Sequence, residues 1–100
     1  MKFATIHRPS KSTLSLLKRK IYDEEMRDVL TCESVESVGI CQGTVVEIIV
    51  ASDIAEKTSN VLAGEINGSC PQHMTCLAVV GSTAAVMAAI EAIKGRLESN

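Results

Sequence analysis

The stretch TVVEIIVASDIAEKTSNV, residues 44–61, decides the fold, because its two halves favour different secondary structures. The first half, TVVEIIV, is rich in β-branched residues, which are typical of strands. In the second half apolar residues recur on one helical face, at the i, i+1, i+4 and i+5 positions Val50, Ala51, Ile54 and Ala55. The opposite side is polar, with Asp53, Glu56, Lys57 and Asn60. We therefore predict a helix from about Thr44 to Asn60.

Glu47 is the exception in this helix, because it lies over the apolar positions Ala51 and Ile54. An acidic residue in the first turn of a helix is stabilised by the helix macrodipole. We therefore interpret Glu47 as a residue of the helix start, and a functional carboxylate is the alternative.

Strands are predicted on both sides of this helix. Val35–Cys41 begins as an alternation of apolar and polar residues, and Val61–Ile66 is a second, short strand. Thr75–Val80 is a nearly continuous apolar run, and residues 67–74 form the loop that leads into it. Such a run is typical of a buried strand.

A helix is predicted to close the chain. Gly81 and Ser82 form a turn and an N-cap before the small-residue segment TAAVMAAIEAIKGRL. Its apolar stripe consists of Val86, Met87, Ile90 and Ile93.

The first thirty residues supply two more strands and a short helix. Phe3–His7 is predicted as a strand that ends before Pro9, and Thr13–Leu17 as a second strand. The segment IYDEEMRDVL, residues 21–30, favours a helix with acids in its first turn. The predicted order, β-β-α-β-α-β-β-α, indicates an α+β sandwich in which helices pack on one face of a single antiparallel sheet. Residues 1–100 are expected to form one domain.

Composition limits the classes of function that this chain serves. It is 46% hydrophobic, with one Phe, one Tyr, no Trp and a formal net charge of −2. A chain without a basic field or aromatic stacking residues is not expected to bind nucleic acid. No apolar run approaches the ~20 residues of a membrane span or forms a signal-peptide core. We therefore expect a cytoplasmic protein whose cysteines are thiols or metal ligands.

The segment NGSCPQHMTC, residues 67–76, holds two of the four cysteines and one of the two histidines. Within one chain it offers at most three ligands, from Cys70, His73 and Cys76. A structural zinc site or a cubane iron–sulfur cluster normally needs four. The sequence of one chain therefore contains an incomplete metal site.

The other sulfur and imidazole groups have simpler interpretations. Cys41 at the end of a strand and Cys76 inside an apolar strand are interpreted as packing residues. For Cys32, packing and ligation are both open, and His7 is interpreted as an exposed residue at a strand end. No nucleophile–base pair or phosphate loop is recognised, so we expect no enzymatic activity.

From Val38 to Leu97 the chain resembles the bacterial microcompartment shell domain. The shared pattern is a strand, a long helix that ends in Asn-Val, two strands around a Gly-containing loop, and a helix of the type AVxAAxEA. The matching residue types are Asp53, Lys57, Asn60 and Val61 in the first helix, and Gly81, Ala85, Val86 and Ala89 in the later turn and helix.

The N-terminal part extends the resemblance to a subgroup. FATIHRPSKSTLSLLKRK followed by IYDEEMRDVL is similar to the circularly permuted shell proteins of propanediol and ethanolamine utilisation, in which the usual C-terminal strand and helix come first. The segment 67–76 departs from the short Gly/Ser loop of typical members. Its Cys-Pro pair resembles that of the iron–sulfur-binding shell proteins of glycyl-radical propanediol microcompartments.

The resemblance implies both an architecture and an assembly. The fold would be a permuted, ferredoxin-like α/β sandwich, and the assembly a flat homohexamer that tiles edge to edge with other shell proteins. Residues 67–74 would line a central pore, and the strand within residues 1–9 would contribute to a small barrel over that pore. Lys57 would lie at the edge between hexamers, where its ammonium group reaches a carbonyl of the neighbour; an ordinary exposed lysine is the alternative.

A sixfold axis changes the ligand count, because a pore loop presents Cys70 six times around one point. We predict about one iron–sulfur cluster per hexamer, of the [4Fe–4S] type, held by Cys70 of several subunits. Gly68 and Ser69 would let backbone N–H groups approach the sulfur, and Pro71 would stiffen the loop. Such a cluster would pass electrons to lumenal redox enzymes or plug the pore. The secondary candidate ligands are His73 and Cys76; for His73, a hydrogen-bond donor to sulfur and a solvated loop residue are the alternatives.

Two other classes of protein stay open on the sequence alone. One is a small-molecule-binding regulatory module with a ferredoxin-like topology, which would be a dimer or trimer. The other is a single-chain zinc or iron–sulfur electron carrier that uses Cys70, His73, Cys76 and one further cysteine.

Overall fold

The computed structural model describes residues 1–31, 35–68 and 74–98. None of the helices in these ranges is both long and apolar enough to cross a membrane. The elements in chain order are β1 (Lys2–His7), α1 (Lys11–Lys20), α2 (Glu24–Thr31), β2 (Ser37–Thr44), α3 (Val45–Thr58), β3 (Leu62–Ile66), β4 (Met74–Gly81) and α4 (Thr83–Leu97).

The strands form one antiparallel sheet in the order β1-β2-β4-β3. Its edges are therefore β1 and β3, which come from opposite ends of the chain. In register, Lys2 lies opposite Gln42, Gln42 opposite Cys76, and Cys76 opposite Ile66, so these four residues form one row across the sheet. The predicted α+β class with a single antiparallel sheet is confirmed.

Helices cover both faces of the sheet. Along β4 the side chains alternate, so that Leu77 and Val79 pack in the cluster with α3 and α4, while Ala78 and Val80 pack with α1 and α2. The prediction that helices pack on one face was therefore wrong. The sequence signal was the continuous apolar run of this strand, because only a strand buried on both sides lacks polar alternation.

The predicted strand Thr13–Leu17 was also wrong, because these residues lie inside α1. Ser10 is the N-cap, and its hydroxyl accepts a hydrogen bond from the Thr13 amide at 3.2 Å. Leu14 and Leu17, three residues apart on one helical face, are both buried. Basic residues in the last turn complement the macrodipole, and they are Lys18, Arg19 and Lys20.

Helix α3, Val45–Thr58, confirms the helix that the sequence predicts from about Thr44 to Asn60. It begins with a capping box, in which the Thr44 hydroxyl accepts from the Glu47 amide at 3.2 Å and a Glu47 carboxylate oxygen accepts from the Thr44 amide at 2.9 Å. Glu47 therefore belongs to the helix start, as its position in the first turn predicted. The predicted apolar face is buried at Ala51, Ile54 and Ala55.

Helix α4 begins where the sequence predicts, with Ser82 as the N-cap. Of the predicted stripe, Val86, Ile90 and Ile93 are buried, but Met87 is 40% exposed. The helix crosses β2 at Gly39, where a Cβ atom would lie 2.9 Å from Ile90 Cδ1. The missing side chain at this position therefore lets α4 approach the sheet closely.

Strand β1 is an edge strand of the main sheet, paired with β2 along its whole length. The prediction that Phe3–His7 forms a strand is confirmed. The N-terminal strand was expected to contribute to a barrel over a pore, but one side of its backbone is already occupied by β2. A barrel would have to form through the free edge of β1, and this part of the expectation stays a prediction.

Candidate functional site

The cysteine-bearing loop connects β3 and β4 at one end of the sheet. The last residue pair before the loop is Ile66 with Cys76. The loop leaves β3 at Asn67, whose amide donates a hydrogen bond to the Lys20 carbonyl oxygen at the end of α1. Most of the predicted site lies outside the described residues, namely Ser69, Cys70, Pro71 and His73.

The described part of the loop is open to its surroundings. Gly68 is exposed, and a Cβ atom placed on it would have no neighbour within 4 Å. A bound group can therefore approach the backbone at this residue without a steric obstacle. The predicted role of Gly68 in cofactor binding stays a prediction.

Cys76 lies beside the loop. The sequence analysis interpreted it as a core packing residue, but it is not among the buried core residues. Its side chain is half-buried. It borders an open cavity of about 460 Å³ that Asn67 and Gly68 also line. The structure therefore brings one of the two secondary candidate ligands to the described base of the predicted site.

Cys41 is buried in the cluster between the sheet and helices α3 and α4, which confirms the packing interpretation. Burial raises the pKa of its thiol to about 11, and the neighbouring Cys76 adds to this rise. Because the thiolate is the metal-binding form, Cys41 is a poor fourth ligand for a single-chain site. Within residues 1–31, 35–68 and 74–98, no three His, Cys, Asp or Glu side chains are grouped to hold a metal. Cys32 lies outside these ranges.

Lys57 lies at the other end of the molecule from the loop. Helix α3 starts beside the loop, where Thr44 pairs with Met74, and its 14 residues span about 21 Å. Beyond its far end, the Asn60 carbonyl lies near Gly81, the last residue of β4. The Lys57 side chain is 76% exposed, and its Nζ lies 3.0 Å from Asp53 Oδ2. Its predicted place at an assembly edge stays a prediction.

A polar network, which the sequence analysis missed, lies at this same end. His7 Nδ1 lies 2.9 Å from the Ser37 hydroxyl, which in turn lies 2.7 Å from the Thr83 hydroxyl. The Glu36 carboxylate accepts a hydrogen bond from the Thr83 amide at 2.9 Å. Ser37 is fully buried and thus closed to any substrate. The network contains the residue types of a hydrolytic triad. Because its serine is closed to substrate, we assign it a structural role, which is to hold β1, β2 and α4 together.

Glu36 makes this network sensitive to acid. Hydrogen bonds from Thr83 and, to a smaller extent, the charge of Arg8 lower the pKa of Glu36 from its usual 4.5. A carboxylate with a lowered pKa stabilises the fold fully above its unfolded pKa, and this contribution is lost as the pH falls through the folded pKa.

We expect Glu36→Gln to reduce stability at neutral pH and to converge with the wild type in acid. Denaturant unfolding from about pH 7 to about pH 3 measures the difference. Glu91→Gln, an exposed acid on α4, is the control, and its difference from the wild type should stay near zero throughout. A Glu36→Gln deficit that does not shrink in acid would contradict the assignment.

Comparisons with known proteins identify the class to which this fold belongs. No protein-family model matches the chain, and no curated protein sequence matches it. Among solved structures, the ligand-free GrpU microcompartment shell protein from Pectobacterium wasabiae is 31% identical, with a TM-score of 0.73. That match covers 93% of this chain and 99% of the other.

Two further structures agree with this match. The ligand-free GrpU microcompartment shell protein from Clostridiales bacterium 1_7_47FAA is 27% identical with a TM-score of 0.73, and the match covers 99% of this chain and 94% of the other. The fused permuted hexameric shell protein of the RMM microcompartment is 16% identical with a TM-score of 0.75, over 98% of this chain and 46% of the other. At this identity the last match shows the fold alone.

The chain belongs to the microcompartment shell proteins. The permuted shell-domain fold that the sequence predicted is confirmed. The matched proteins are shell proteins, in agreement with the expectation that this chain is not an enzyme. Iron–sulfur binding and a propanediol-degrading, glycyl-radical compartment stay predictions.

Proposed function

We propose that six copies of the chain form a ring that tiles the shell of a bacterial microcompartment in the cytoplasm, with a [4Fe–4S] cluster on the ring axis. The supporting observation is the placement of the two predicted contact regions. The cysteine-bearing loop and Lys57 lie at opposite ends of α3. In a ring whose loops meet at the centre, Lys57 lies at the rim, where neighbouring rings would touch.

The ligands of the cluster are proposed to be Cys70 thiolates from several subunits. Within the described residues Cys41 is a poor further ligand, because burial raises the pKa of its thiol. Gly68 leaves the backbone at the base of the loop accessible. The described residues therefore fit a site that several chains share better than a site within one chain. Cys76, beside the loop, is the described residue best placed to assist.

The chain's own residues would hold and shield the cluster, which would supply one-electron transfer when bound. Backbone N–H groups near Gly68 and Ser69 would donate to the anionic sulfurs, and Pro71 would limit movement of the loop. Electrons would then pass between the two sides of the shell, toward redox enzymes of a glycyl-radical propanediol compartment. Closure of the pore by the cluster is the alternative role.

Iron and sulfide content measured against native mass tests this proposal. Protein purified without oxygen should be brown and run near six times 10.7 kDa, with about four iron and four sulfide per ring. One cluster per chain would instead support the single-chain electron carrier. A colourless dimer or trimer would support the regulatory module and overturn the proposal.

A further inference from the structure

An open cavity of about 420 Å³ lies at the β3 edge of the sheet, beside helix α3. Its apolar lining comes from α3, through residues such as Ile48 and Ile49, and from Leu77 of β4. Ile48 is only 4% exposed and Leu77 2%, so the cavity extends down to side chains of the buried core. A volume of this size with a largely apolar wall and a few polar groups is typical of a small-molecule site.

Four polar side chains complete the lining, and they are Asp23, Ser52, Glu65 and Thr75. The Ser52 hydroxyl donates its proton to the Ile49 carbonyl oxygen at 2.9 Å, and the Thr75 hydroxyl donates to Glu65 Oε2 at 2.9 Å. Because these protons are used inside the chain, both hydroxyls offer a ligand only acceptor lone pairs, as ionised carboxylates do. The four side chains therefore favour a ligand that donates hydrogen bonds.

The cavity lining is also negatively charged. Asp23 and Glu65 are exposed acids, and none of the residues described along this cavity is basic, although Lys20 borders the adjacent cavity. In the described ranges of the chain, neither carboxylate belongs to an ion pair. Asp23 accepts one hydrogen bond, from the Met26 amide at 2.9 Å, so further acceptor positions of this carboxylate are available. A cation in the cavity would gain partners that the fold does not already use.

The kind of cation follows from the rest of the lining. Within the described residues, no three His, Cys, Asp or Glu side chains are grouped to hold a metal ion. The wall formed by α3 is apolar, and an apolar wall favours a ligand with a hydrocarbon part. A primary alkylammonium ion has such a part, and its charged end carries three donors and no acceptor, as a lysine side chain does.

We infer that this cavity binds a small organic ammonium ion. Its N–H groups donate to Asp23 and Glu65, and its alkyl chain packs against Ile48 and Ile49. The site lies at the β3 edge and uses none of the residues assigned to the cluster, so the inference goes beyond the proposed function. A shell protein with this site would retain amines at the shell.

Four small molecules of similar length test the inference on the assembled protein. Compared with n-butylammonium, the neutral n-butanol and the anion butyrate should bind at least about fivefold more weakly. Butyltrimethylammonium keeps the charge but has no N–H donor, and it should also bind more weakly. Methyl NMR titration measures the affinity and places the site, because the shifts should be confined to the methyl groups around Ile48, Ile49 and Leu77. Equal binding of n-butanol or butyrate, shifts elsewhere, or no binding of n-butylammonium would overturn the inference.

Two conservative variants test the carboxylates. Glu65→Gln and Asp23→Asn each keep a side-chain oxygen that can accept the existing hydrogen bond, from Thr75 or Met26, so the fold should be retained. Each variant should weaken n-butylammonium binding about two- to fivefold, as expected for an exposed ion pair. Binding of n-butanol should be unchanged.

Glu56→Gln is the matched control. The Glu56 carboxylate accepts a hydrogen bond from the Ala63 amide at 3.2 Å on the same sheet edge, but it lies outside the described lining of the cavity. An equal loss of affinity in this control, or full affinity in the Glu65→Gln and Asp23→Asn double variant, would overturn the site. A ring without iron would leave this inference standing. A ring that holds iron and binds no ammonium ion would overturn this inference alone.

Discussion

Cys70→Ser should remove essentially all of the iron and sulfide from the purified protein while the native mass stays that of the ring. The serine hydroxyl is a far weaker ligand than a thiolate for iron, and it changes the volume of the side chain little. In the sequence Cys70 lies between β3 and β4, outside the residues that the structure describes, and its neighbours Ser69 and Gln72 are polar. Loss of the Cys70 thiolate should therefore remove the cluster and leave the fold intact.

Cys76→Ser is the matched control, because it makes the same substitution six residues away. Cys76 is half-buried and borders the loop cavity. If Cys76 only assists Cys70 in holding the cluster, the Cys76→Ser variant should keep most of its iron. Iron assay and the visible absorption spectrum, recorded at equal ring concentration, distinguish the two variants. A Cys70→Ser protein that retains its iron would show that the cluster, if there is one, is not held by the loop.

Gly39→Val should destabilise the fold by about 1–3 kcal/mol or more, because it adds volume where α4 meets the sheet. A Cβ atom there would lie 2.9 Å from Ile90 Cδ1 and 3.1 Å from Val86 Cγ1. The end of Ile90 can move, but Val86 is β-branched and has restricted rotamers in a helix. The helix would have to shift away from β2, and the buried cluster between them would loosen.

Gly95→Ala is the control for Gly39→Val. A Cβ atom at Gly95, on the exposed side of α4, would have no neighbour within 4 Å. Alanine in a helix interior should stabilise it by roughly 0.5–1 kcal/mol relative to glycine. Thermal unfolding must be compared at one protein concentration, because assembly raises the melting temperature. A Gly39→Val protein as stable as the wild type would contradict the close approach described here.

Much of the fold could be predicted because its local signals agree. The Thr44 and Glu47 capping box and the apolar positions Ala51, Ile54 and Ala55 indicate the same helix, and α3 forms where they place it. Helix α1 was missed because Leu14 and Leu17 lie in a Ser- and Thr-rich segment that suggests a strand, whereas Ser10 as N-cap starts a helix.

The arrangement of the candidate site was less accessible to sequence reasoning. The sequence predicted two strands on either side of this loop, and the register adds that β3 and β4 pair, so that the loop leaves one end of the sheet. Contacts between residues distant in sequence, such as Ser37 with Thr83, gave no local signal. The exposure of apolar side chains on α3, such as Ile49, likewise had no local signal in the sequence.

Two amides on the outer side of β3, those of Ala63 and Asn67, bear on how an abundant shell protein avoids aggregation. A shell is built from many copies at high local concentration, and open strand edges under those conditions template cross-β aggregates. Glu56 and the Lys20 carbonyl occupy the Ala63 and Asn67 amides on this edge. With these two amides occupied, the outer side of β3 offers fewer free donors to a strand of another chain.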